Sequence, residues 1–415
     1  MKKEIFFNMN MNYAIHAFLA LLFMTGSCAV TCSAAESNVS TQDPRVSAPR
    51  PSVPVPAGAA YVPTDPAKIE DKSDLCIDCH RRDTPGIFEE WASSAHARVD
   101  IGCHYCHAAS QAHKDSFLHA GRFYIRLAVP PFVCARCHSD IVKEHIQSGH
   151  ANALLNLEKI SENHPGYALI EPYSDDGFPE CQGCHGSRIQ LGQDRRPTAE
   201  TWPNSGAGRI NQDKSHGNCA VCHGQHRFSS ASARRPEACL RCHDGRDYPE
   251  GSIYLRSEHG LTYADEDSRR ALDRPGYYCD ARQFSAPTCA LCHLNGAAKG
   301  LNTTHDPALR LDKTLTHPDA PAREDADIRR GRMKAVCLQC HGSTAINGYF
   351  GDADRKLEIF QKEVVEPGLS KYQKALKKAT GSKREDLLKE YDAFLAGTKR
   401  YRLNLYMGDH GRLER

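Results

Sequence analysis

The chain has 415 residues, a formal net charge of +2 from 53 Lys and Arg against 51 Asp and Glu, and a mean hydropathy of −0.57. Such a balanced charge argues against nucleic acid bound by bulk electrostatics. No apolar run of about 20 residues follows the N-terminal region, which excludes a polytopic membrane protein. The unusual figures are 19 Cys and 22 His. Because aliphatic residues are sparse for this length, we expect something else to fill part of the interior.

Residues 1–35 have the pattern of a secretory signal peptide. Lys2 and Lys3 give a basic start, residues 13–24 are mostly apolar, and small residues lead to a predicted cleavage site near Ala35. An uncleaved anchor and a lipidated Cys28 are the alternatives. Residues 36–68 are rich in Pro, Ser and Ala and predict an extended linker. We therefore expect an exported protein, in the periplasm or an equivalent extracytoplasmic compartment, where disulfides are permitted.

Eight copies of Cys-x-x-Cys-His follow the linker and use 16 of the cysteines. Two thiols one helical turn apart can each bond one vinyl group of a porphyrin, and the following His then lies beneath the iron. Zinc pairs, redox dithiols and a disulfide framework are alternatives, but none requires a His at the same offset each time. The pattern is the c-type haem attachment signature and predicts eight covalent haems c. The copies are Cys76/Cys79/His80, Cys103/Cys106/His107, Cys134/Cys137/His138, Cys181/Cys184/His185, Cys219/Cys222/His223, Cys239/Cys242/His243, Cys289/Cys292/His293 and Cys337/Cys340/His341.

Other histidines are candidates for the distal ligands of these irons. Four of them stand among small residues and follow a motif histidine by 16, 12, 16 and 12 residues, namely His96, His150, His259 and His305. His226 and His119 are the next candidates, so six histidines are predicted as distal ligands beside the eight motif histidines. An iron with two imidazoles transfers electrons, whereas an iron with an open axial position can act on a substrate. Spacing does not separate the rest: His104, His113, His145, His164, His317 and His410.

The motifs lie 20 to 50 residues apart, too close for separate domains. We therefore predict a mainly α fold in which a multihaem cytochrome c body of short helices and loops spans residues 69–350. Helical periodicity over residues 351–415 predicts long C-terminal helices, with breaks at Pro367-Gly368 and at Gly381-Ser382. These helices either cover the haem body or mediate oligomerisation.

The sequence around the motifs resembles that of the hydroxylamine oxidoreductase family of octahaem cytochromes c. The resemblance covers about residues 70–400. It implies an oxidoreductase of small nitrogen compounds, either oxidising hydroxylamine or hydrazine or reducing nitrite or hydroxylamine, with one open iron and seven bis-His haems. It also implies a redox partner, a cytochrome or a quinone-linked protein, and a homotrimer. The matching stretches include Trp91-Ala-Ser-Ser-Ala-His96, Val129-Pro-Pro-Phe-Val-Cys134 and His216-Gly-Asn-Cys219-Ala-Val-Cys222-His223-Gly-Gln-His226.

The resemblance also implies that the fourth haem is the catalytic one. That haem is attached through Cys181 and Cys184, with His185 as its proximal ligand. Asp213 and His216, just before the fifth motif, become candidates for proton transfer, which accompanies each electron in such reactions. His216 is alternatively a ligand of a neighbouring haem.

Two features leave alternatives open. Family members that oxidise hydroxylamine carry a cross-linking Tyr farther toward the C-terminus than Arg415. We therefore expect either a truncated chain or a member without the cross-link, and members of that second kind resemble reductases. The family pocket also carries a Tyr, and Tyr277 and Tyr278 are the tyrosines nearest to the expected region. The neighbouring Cys279 is either a buried thiol or a reactive or intermolecular one. The alternative to an enzyme is a non-enzymatic multihaem electron-transfer cytochrome.

Overall fold

A computed structural model of the chain describes residues 73–160, 181–245, 249–265, 272, 286–296, 301–311 and 325–408. This part is mainly α-helical with long C-terminal helices, which confirms the predicted fold class. The predicted signal peptide and linker, and Cys279, lie outside the described residues. The helices are α1 (Ser73–Asp83), α2 (Pro85–Ala92), α3 (Cys103–His107), α4 (Pro131–Cys134), α5 (Ser139–His145), α6 (Ala153–Glu158), α7 (Gln182–His185), α8 (Ala220–His223), α9 (Ser230–Arg234), α10 (Pro236–Leu240), α11 (Glu250–Arg256), α12 (Glu258–Ala264), α13 (Cys289–His293), α14 (Ala326–Cys337), α15 (Ser343–Phe360), α16 (Glu366–Leu376) and α17 (Gly381–Leu403).

Local sequence explains where several of the short helices begin. Pro131 and Pro236 open α4 and α10, where the missing N–H costs no helical hydrogen bond. Ser229 and Ser257 cap α9 and α12, because each side chain accepts a hydrogen bond from a backbone N–H in the first turn. Single-turn 3₁₀ helices add Ala97–Val99 and Pro307–Arg310.

A two-stranded antiparallel hairpin is the sheet found among the described residues. Strand β1 (Phe117–His119) pairs with β2 (Phe123–Ile125), and Phe117 lies opposite Ile125. Ala120 and Gly121 in the connection both have positive φ, of 51° and 65°, which suits the tight turn of a hairpin. The hairpin places His119 at the end of β1.

The C-terminal helices differ from the prediction at Pro367. Helix α15 continues through a π-helical segment, Gln361–Val365, directly into α16. Pro367 lies at the start of α16, and because the π segment already alters the hydrogen-bond ladder there, its missing N–H does not end the helix. Gly368 lies against α17, where a Cβ would collide with the ring of Phe394. The predicted break before α17 is present, with Gly381 at φ 58°.

The apolar core is divided into small clusters. One contains Tyr254, Tyr263, Leu272 and Ala286, and another contains Leu291 and Val336. The helices instead surround a cavity of about 2640 Å³. No helix among the described residues is both long enough and apolar enough to cross a membrane.

Candidate multihaem site

The Cys-x-x-Cys-His motifs fold as short helical turns. In the third, fifth, sixth and eighth motifs, the backbone N–H of the His donates to the carbonyl of the first Cys at 2.9 to 3.2 Å. A turn of this kind brings the two thiols and the imidazole to the same side of the backbone. None of the sixteen motif cysteines forms a disulfide among the described residues, so each pair is available for thioether bonds.

All eight motifs line the same cavity. Its volume of about 2640 Å³ is several times that of a pocket for one small ligand, which is roughly 300–1,000 Å³. Residues from α1 to the C-terminal helices contribute to its wall. A cavity of this size in a body with little apolar core fits several large prosthetic groups.

The fourth motif is held by a close approach of two backbone segments. Gly186 ends α7 with φ 81°, and a Cβ there would lie 2.5 Å from the backbone nitrogen of Arg209. A Cβ on Gly206 would collide with the backbone of Gly186. The N–H of Ala207 donates to the carbonyl of Cys184 at 2.9 Å. Glycine is required at both positions because no side chain fits between the segments.

Each of the six predicted distal histidines faces the imidazole of a motif histidine. The ring centroids lie 5.9 to 6.4 Å apart in all six pairs. The pairs join residues that are far apart in sequence. They are His80 with His119, His107 with His226, His138 with His96, His223 with His305, His243 with His150, and His341 with His259.

This separation suits a metal ion between two imidazoles. Two rings that each bind one metal through a bond of about 2 Å have centroids roughly 6 Å apart. The thiol pairs, the facing imidazoles and the cavity together fit haem c.

Hydrogen bonds fix the orientation of several motif imidazoles. The Nδ1 of His80 lies 2.7 Å from the hydroxyl of Thr84, and the Nδ1 of His107 lies 2.8 Å from the carbonyl of Arg126. The Nδ1 of His185 lies 3.0 Å from the carbonyl of Ala153. A carbonyl can only accept, so Nδ1 carries the proton in His107 and His185, and Nε2 is left for a metal.

Burial keeps several of these imidazoles neutral. Desolvation lowers the pKa of His107, His223 and His259 below the ordinary value of 6.5. Desolvation also lowers the pKa of His96, with a smaller contribution from His138 opposite. Neutral imidazole is the form that binds a metal.

Two motif histidines face no second imidazole among the described residues, namely His185 and His293. Desolvation lowers the pKa of His293 to about 4. His185 lines the cavity and is held by the carbonyl of Ala153. Three histidines that spacing left undecided, His164, His317 and His410, lie outside the described residues, as do Tyr277 and Tyr278.

The two candidates for proton transfer lie next to the segment that holds His185. The Nδ1 of His216 is 3.2 Å from the carbonyl of Ala151, two residues before the carbonyl that holds His185. Asp213 accepts hydrogen bonds from the backbone and hydroxyl of Ser215 through Oδ1, while its Oδ2 is buried without a hydrogen-bond partner. His216 therefore lies close in the fold to the fourth motif, but neither His216 nor Asp213 is among the residues that line the cavity.

Sequence reasoning did not single out His145 and His104, which also line the cavity. The Nε2 of His145 is buried without a hydrogen-bond partner, and desolvation lowers the pKa of His145 to about 4. His150, His305 and His216 are among the nearby groups that lower it further. No spacing rule separates His145 from a surface histidine, because its burial depends on segments distant in sequence.

Hydrogen bonds between thiols show which motifs are neighbours. The contact between Cys134 and Cys219 raises the pKa of Cys134 and lowers that of Cys219. A contact with Cys184 helps to raise the pKa of Cys242, to about 12, although burial contributes more. Cys289 and Cys239 form a third such contact. The third motif therefore adjoins the fifth, and the sixth motif adjoins both the fourth and the seventh.

Comparison with known proteins agrees with this arrangement. Residues 205–390 match the family described as "Seven times multi-haem cytochrome CxxCH", and residues 133–224 match "Cytochrome c554 and c-prime". A curated relative from Kuenenia stuttgartiensis, a "Probable nitrite reductase-hydroxylamine oxidoreductase fusion protein", is 28% identical over 247 residues. The match covers 54% of this chain and 26% of the relative, so the chain spans about a quarter of that protein's length.

Two solved structures share the fold. A "Hypothetical multiheme protein" aligns with a TM-score of 0.65 and 20% identity, over 84% of this chain and 93% of the other. A chain of a reducing HAO-like protein complex from Kuenenia stuttgartiensis aligns with a TM-score of 0.50 and 20% identity, over 81% and 70%.

The motifs, the cavity and these matches make the chain similar to multihaem c-type cytochromes and support covalently bound haem c. The predicted resemblance to the hydroxylamine oxidoreductase-like multihaem proteins is confirmed.

Proposed function

We propose that the chain is an octahaem oxidoreductase of small nitrogen compounds. In this proposal one iron, at His185, has an open axial position, and seven irons with two histidines each carry electrons. The substrates are hydroxylamine or hydrazine in the oxidative direction, or nitrite or hydroxylamine in the reductive direction. The matched relative, named as a probable nitrite reductase-hydroxylamine oxidoreductase fusion protein, supports this substrate class.

The proposed haem count rests on the eight motifs and on the cavity that all of them line. Six motif histidines face a second imidazole at the separation expected of axial ligands. We propose that a further histidine completes the iron at His293, which makes seven irons with two histidines.

The imidazole pairing leaves His185 and His293 as the two candidates for the open position, and the family resemblance selects His185 as the catalytic one. Among the described residues His185 faces no second ring, while the carbonyl of Ala153 holds its Nδ1 and directs Nε2 to the iron. The family resemblance independently implies the fourth motif. An iron with one open axial position can bind a small nitrogen compound and exchange electrons with it.

Protons must move with the electrons when N–O bonds are made or broken. We propose that His216 holds a proton on Nδ1, which the carbonyl of Ala151 accepts at 3.2 Å, and leaves Nε2 to exchange a proton with the substrate. The buried Oδ2 of Asp213, which lacks a hydrogen-bond partner, is the second candidate for this transfer.

Electrons reach or leave the catalytic position through the sixth motif, because Cys242 of that motif contacts Cys184 of the fourth.

The remaining parts of the proposal concern the setting of the enzyme. We propose export to the periplasm or an equivalent compartment, since haem c attachment occurs outside the cytoplasm in bacteria. A cytochrome or a quinone-linked protein would exchange electrons with the chain. A homotrimer is implied by the family resemblance.

Turnover assays on the haem-loaded protein test the proposal. Nitrite and hydroxylamine are offered with a reduced viologen, and hydroxylamine and hydrazine with a ferric cytochrome c as acceptor. We expect turnover in one of these assays, and a His216→Asn variant should lose at least tenfold in rate with an unchanged haem count. The matched control is His113→Asn, at an exposed position. Absence of turnover in all four assays would overturn the proposal.

A second candidate function is favoured by His145. Its buried Nε2 has no hydrogen-bond partner and the residue lines the cavity, so it is available as an additional axial ligand. If it completed the iron at His185, the chain would be a non-enzymatic electron-transfer cytochrome. A His145→Ala variant that gains a high-spin iron would favour this second candidate.

A further inference from the structure

A carboxylate lies beside the ring of one motif histidine, His243. Glu250 opens α11, and its Oε2 lies 3.8 Å from the Nδ1 of His243. This oxygen is buried and has no hydrogen-bond partner. The centroid of the His150 ring lies 6.0 Å from that of the His243 ring. Glu250 therefore lies near the Nδ1 of an imidazole that also faces His150.

The backbone holds Glu250 in this position. The N–H of Gly251 donates to the carbonyl of His243 at 2.6 Å. A Cβ on Gly251 would lie 2.9 Å from that carbonyl oxygen, so the beginning of α11 packs directly on the end of the sixth motif. A small movement along this contact is enough to bring Oε2 within hydrogen-bond distance of Nδ1.

The C-terminal helix supplies a counter-charge to the same carboxylate. The Nζ of Lys399, in α17, lies 3.6 Å from the Oε1 of Glu250. The Lys399 side chain is 12% exposed and the Glu250 side chain 23% exposed, so solvent screens this pair less than a surface pair. Lys399, Glu250 and His243 thus form a row that runs from α17 to the sixth motif.

Other motif histidines have neutral partners at Nδ1. Thr84 contributes a hydroxyl to His80, while Arg126 and Ala153 contribute backbone carbonyls to His107 and His185. A carboxylate also lies near the ring of one distal histidine, where the Oε2 of Glu90 is 3.6 Å from the Nδ1 of His226. That Glu90 side chain is 47% exposed, so its charge is better screened than that of Glu250.

A carboxylate at Nδ1 makes an imidazole a more basic ligand. A more basic axial ligand stabilises ferric over ferrous iron and so lowers the reduction potential. We propose that Glu250 is a positioning residue that lowers the potential at the sixth motif through His243, and that Lys399 moderates this effect. The inference rests on the proposed function, in which His243 and His150 bind one iron. Because the sixth motif adjoins the fourth, Glu250 then sets the driving force for electron exchange with the catalytic position.

Potentiometric titration of the haem-loaded protein, followed by optical and EPR spectroscopy, tests this inference. In Glu250→Gln we expect one midpoint potential to rise by at least about 59 mV. For one electron this corresponds to a tenfold change in the redox equilibrium. The g-values of one low-spin EPR signal should change with it. Lys399→Met should shift the same potential downward, because the carboxylate then loses its counter-charge.

Glu237→Gln is the matched control. Glu237 lies two residues before Cys239 of the same motif, and its Oε2 accepts a hydrogen bond from the hydroxyl of Tyr263 at 2.8 Å. Its removal takes the same charge from the neighbourhood of the sixth motif without touching the ring of His243. We expect the EPR signal to stay unchanged in this variant.

Two outcomes would overturn the inference. One is an unchanged set of potentials in Glu250→Gln, and the other is the same EPR change in Glu237→Gln. Failure of the proposed function is recognised separately with His150→Ala, which should convert one low-spin iron to high-spin. If the iron stays low-spin, His243 and His150 do not share an iron. If His150→Ala does convert one iron but the midpoint potentials of Glu250→Gln are unchanged, only the role of Glu250 is contradicted.

Discussion

His223 and His305 face each other with ring centroids 6.4 Å apart and planes 20° apart. The backbone around His305 is fixed by Glu144, whose two carboxylate oxygens accept from the hydroxyl of Thr304 at 2.6 Å and from the N–H of His305 at 2.8 Å. These contacts therefore fix the backbone that carries the His305 imidazole. Such preorganisation favours two histidine ligands on the iron at the fifth motif.

Replacing His305 tests this pairing. We expect His305→Ala to convert one low-spin iron to high-spin, because the imidazole opposite His223 is removed while both thioether bonds remain. The measurement is EPR of the oxidised protein, with the haem content determined by mass. His113→Ala, at an exposed position, should leave the spectrum unchanged. A His305→Ala spectrum identical to that of the unaltered protein would show that another group binds this iron.

The close backbone approach at the fourth motif leads to a prediction about stability. In Gly206→Ala the added methyl collides with the backbone of Gly186, so the segment after His185 must shift. We expect a loss of roughly 1–3 kcal/mol in the free energy of unfolding and a weakened high-spin signal at this motif. Thermal unfolding and EPR measure the two effects.

Gly183→Ala is the control for that change. Gly183 lies in the same motif, inside α7, with nothing within 4 Å of the added Cβ. Alanine is favoured over glycine inside a helix by roughly 0.5–1 kcal/mol. Equal destabilisation by both variants would mean that the close approach of Gly206 to Gly186 is not what holds the motif.

Buried His145 predicts a dependence of stability on pH. Burial lowers its pKa to about 4 in the folded chain, against an ordinary value of 6.5. Between these values the unfolded chain binds a proton that the folded chain does not, so stability falls as the pH falls. The loss amounts to about 3 kcal/mol once the pH reaches 4.

Denaturant unfolding from pH 7 to pH 4 measures this effect. The difference in unfolding free energy between His145→Gln and the unaltered protein should narrow as the pH falls, because glutamine does not titrate. A difference that is constant across this range would contradict a neutral, unbound imidazole at position 145. That outcome would instead agree with His145 bound to an iron.

The sequence predicted which histidines face the ring of a motif histidine. It did not predict which motif histidine each of them faces. Spacing singled out His96 and His150, but His96 faces His138 and His150 faces His243. The interval to the preceding motif describes only local chain geometry. The partner of each ring is decided by how the short helices pack around the cavity, and no periodic pattern encodes that packing. Their role as iron ligands stays a prediction.

Other features of the site had no signal in the sequence. Glu250 stands in a stretch without a motif, and its approach to His243 depends on the contact between α11 and the end of the sixth motif. Pro367 was expected to end a helix from its identity alone. The π-helical segment before it, visible only in the structure, removes the hydrogen-bond conflict that normally makes proline a helix breaker.

The central claim is that one iron, at His185, keeps an open axial position while the others hold two histidines. An anaerobic optical and EPR spectrum of the reduced, haem-loaded protein, with and without carbon monoxide, tests it most directly. We predict that about one haem in eight is high-spin and shifts on adding carbon monoxide, and that Cys181→Ala/Cys184→Ala abolishes this response. A spectrum that is entirely low-spin and indifferent to carbon monoxide would contradict the claim and leave an electron-transfer cytochrome.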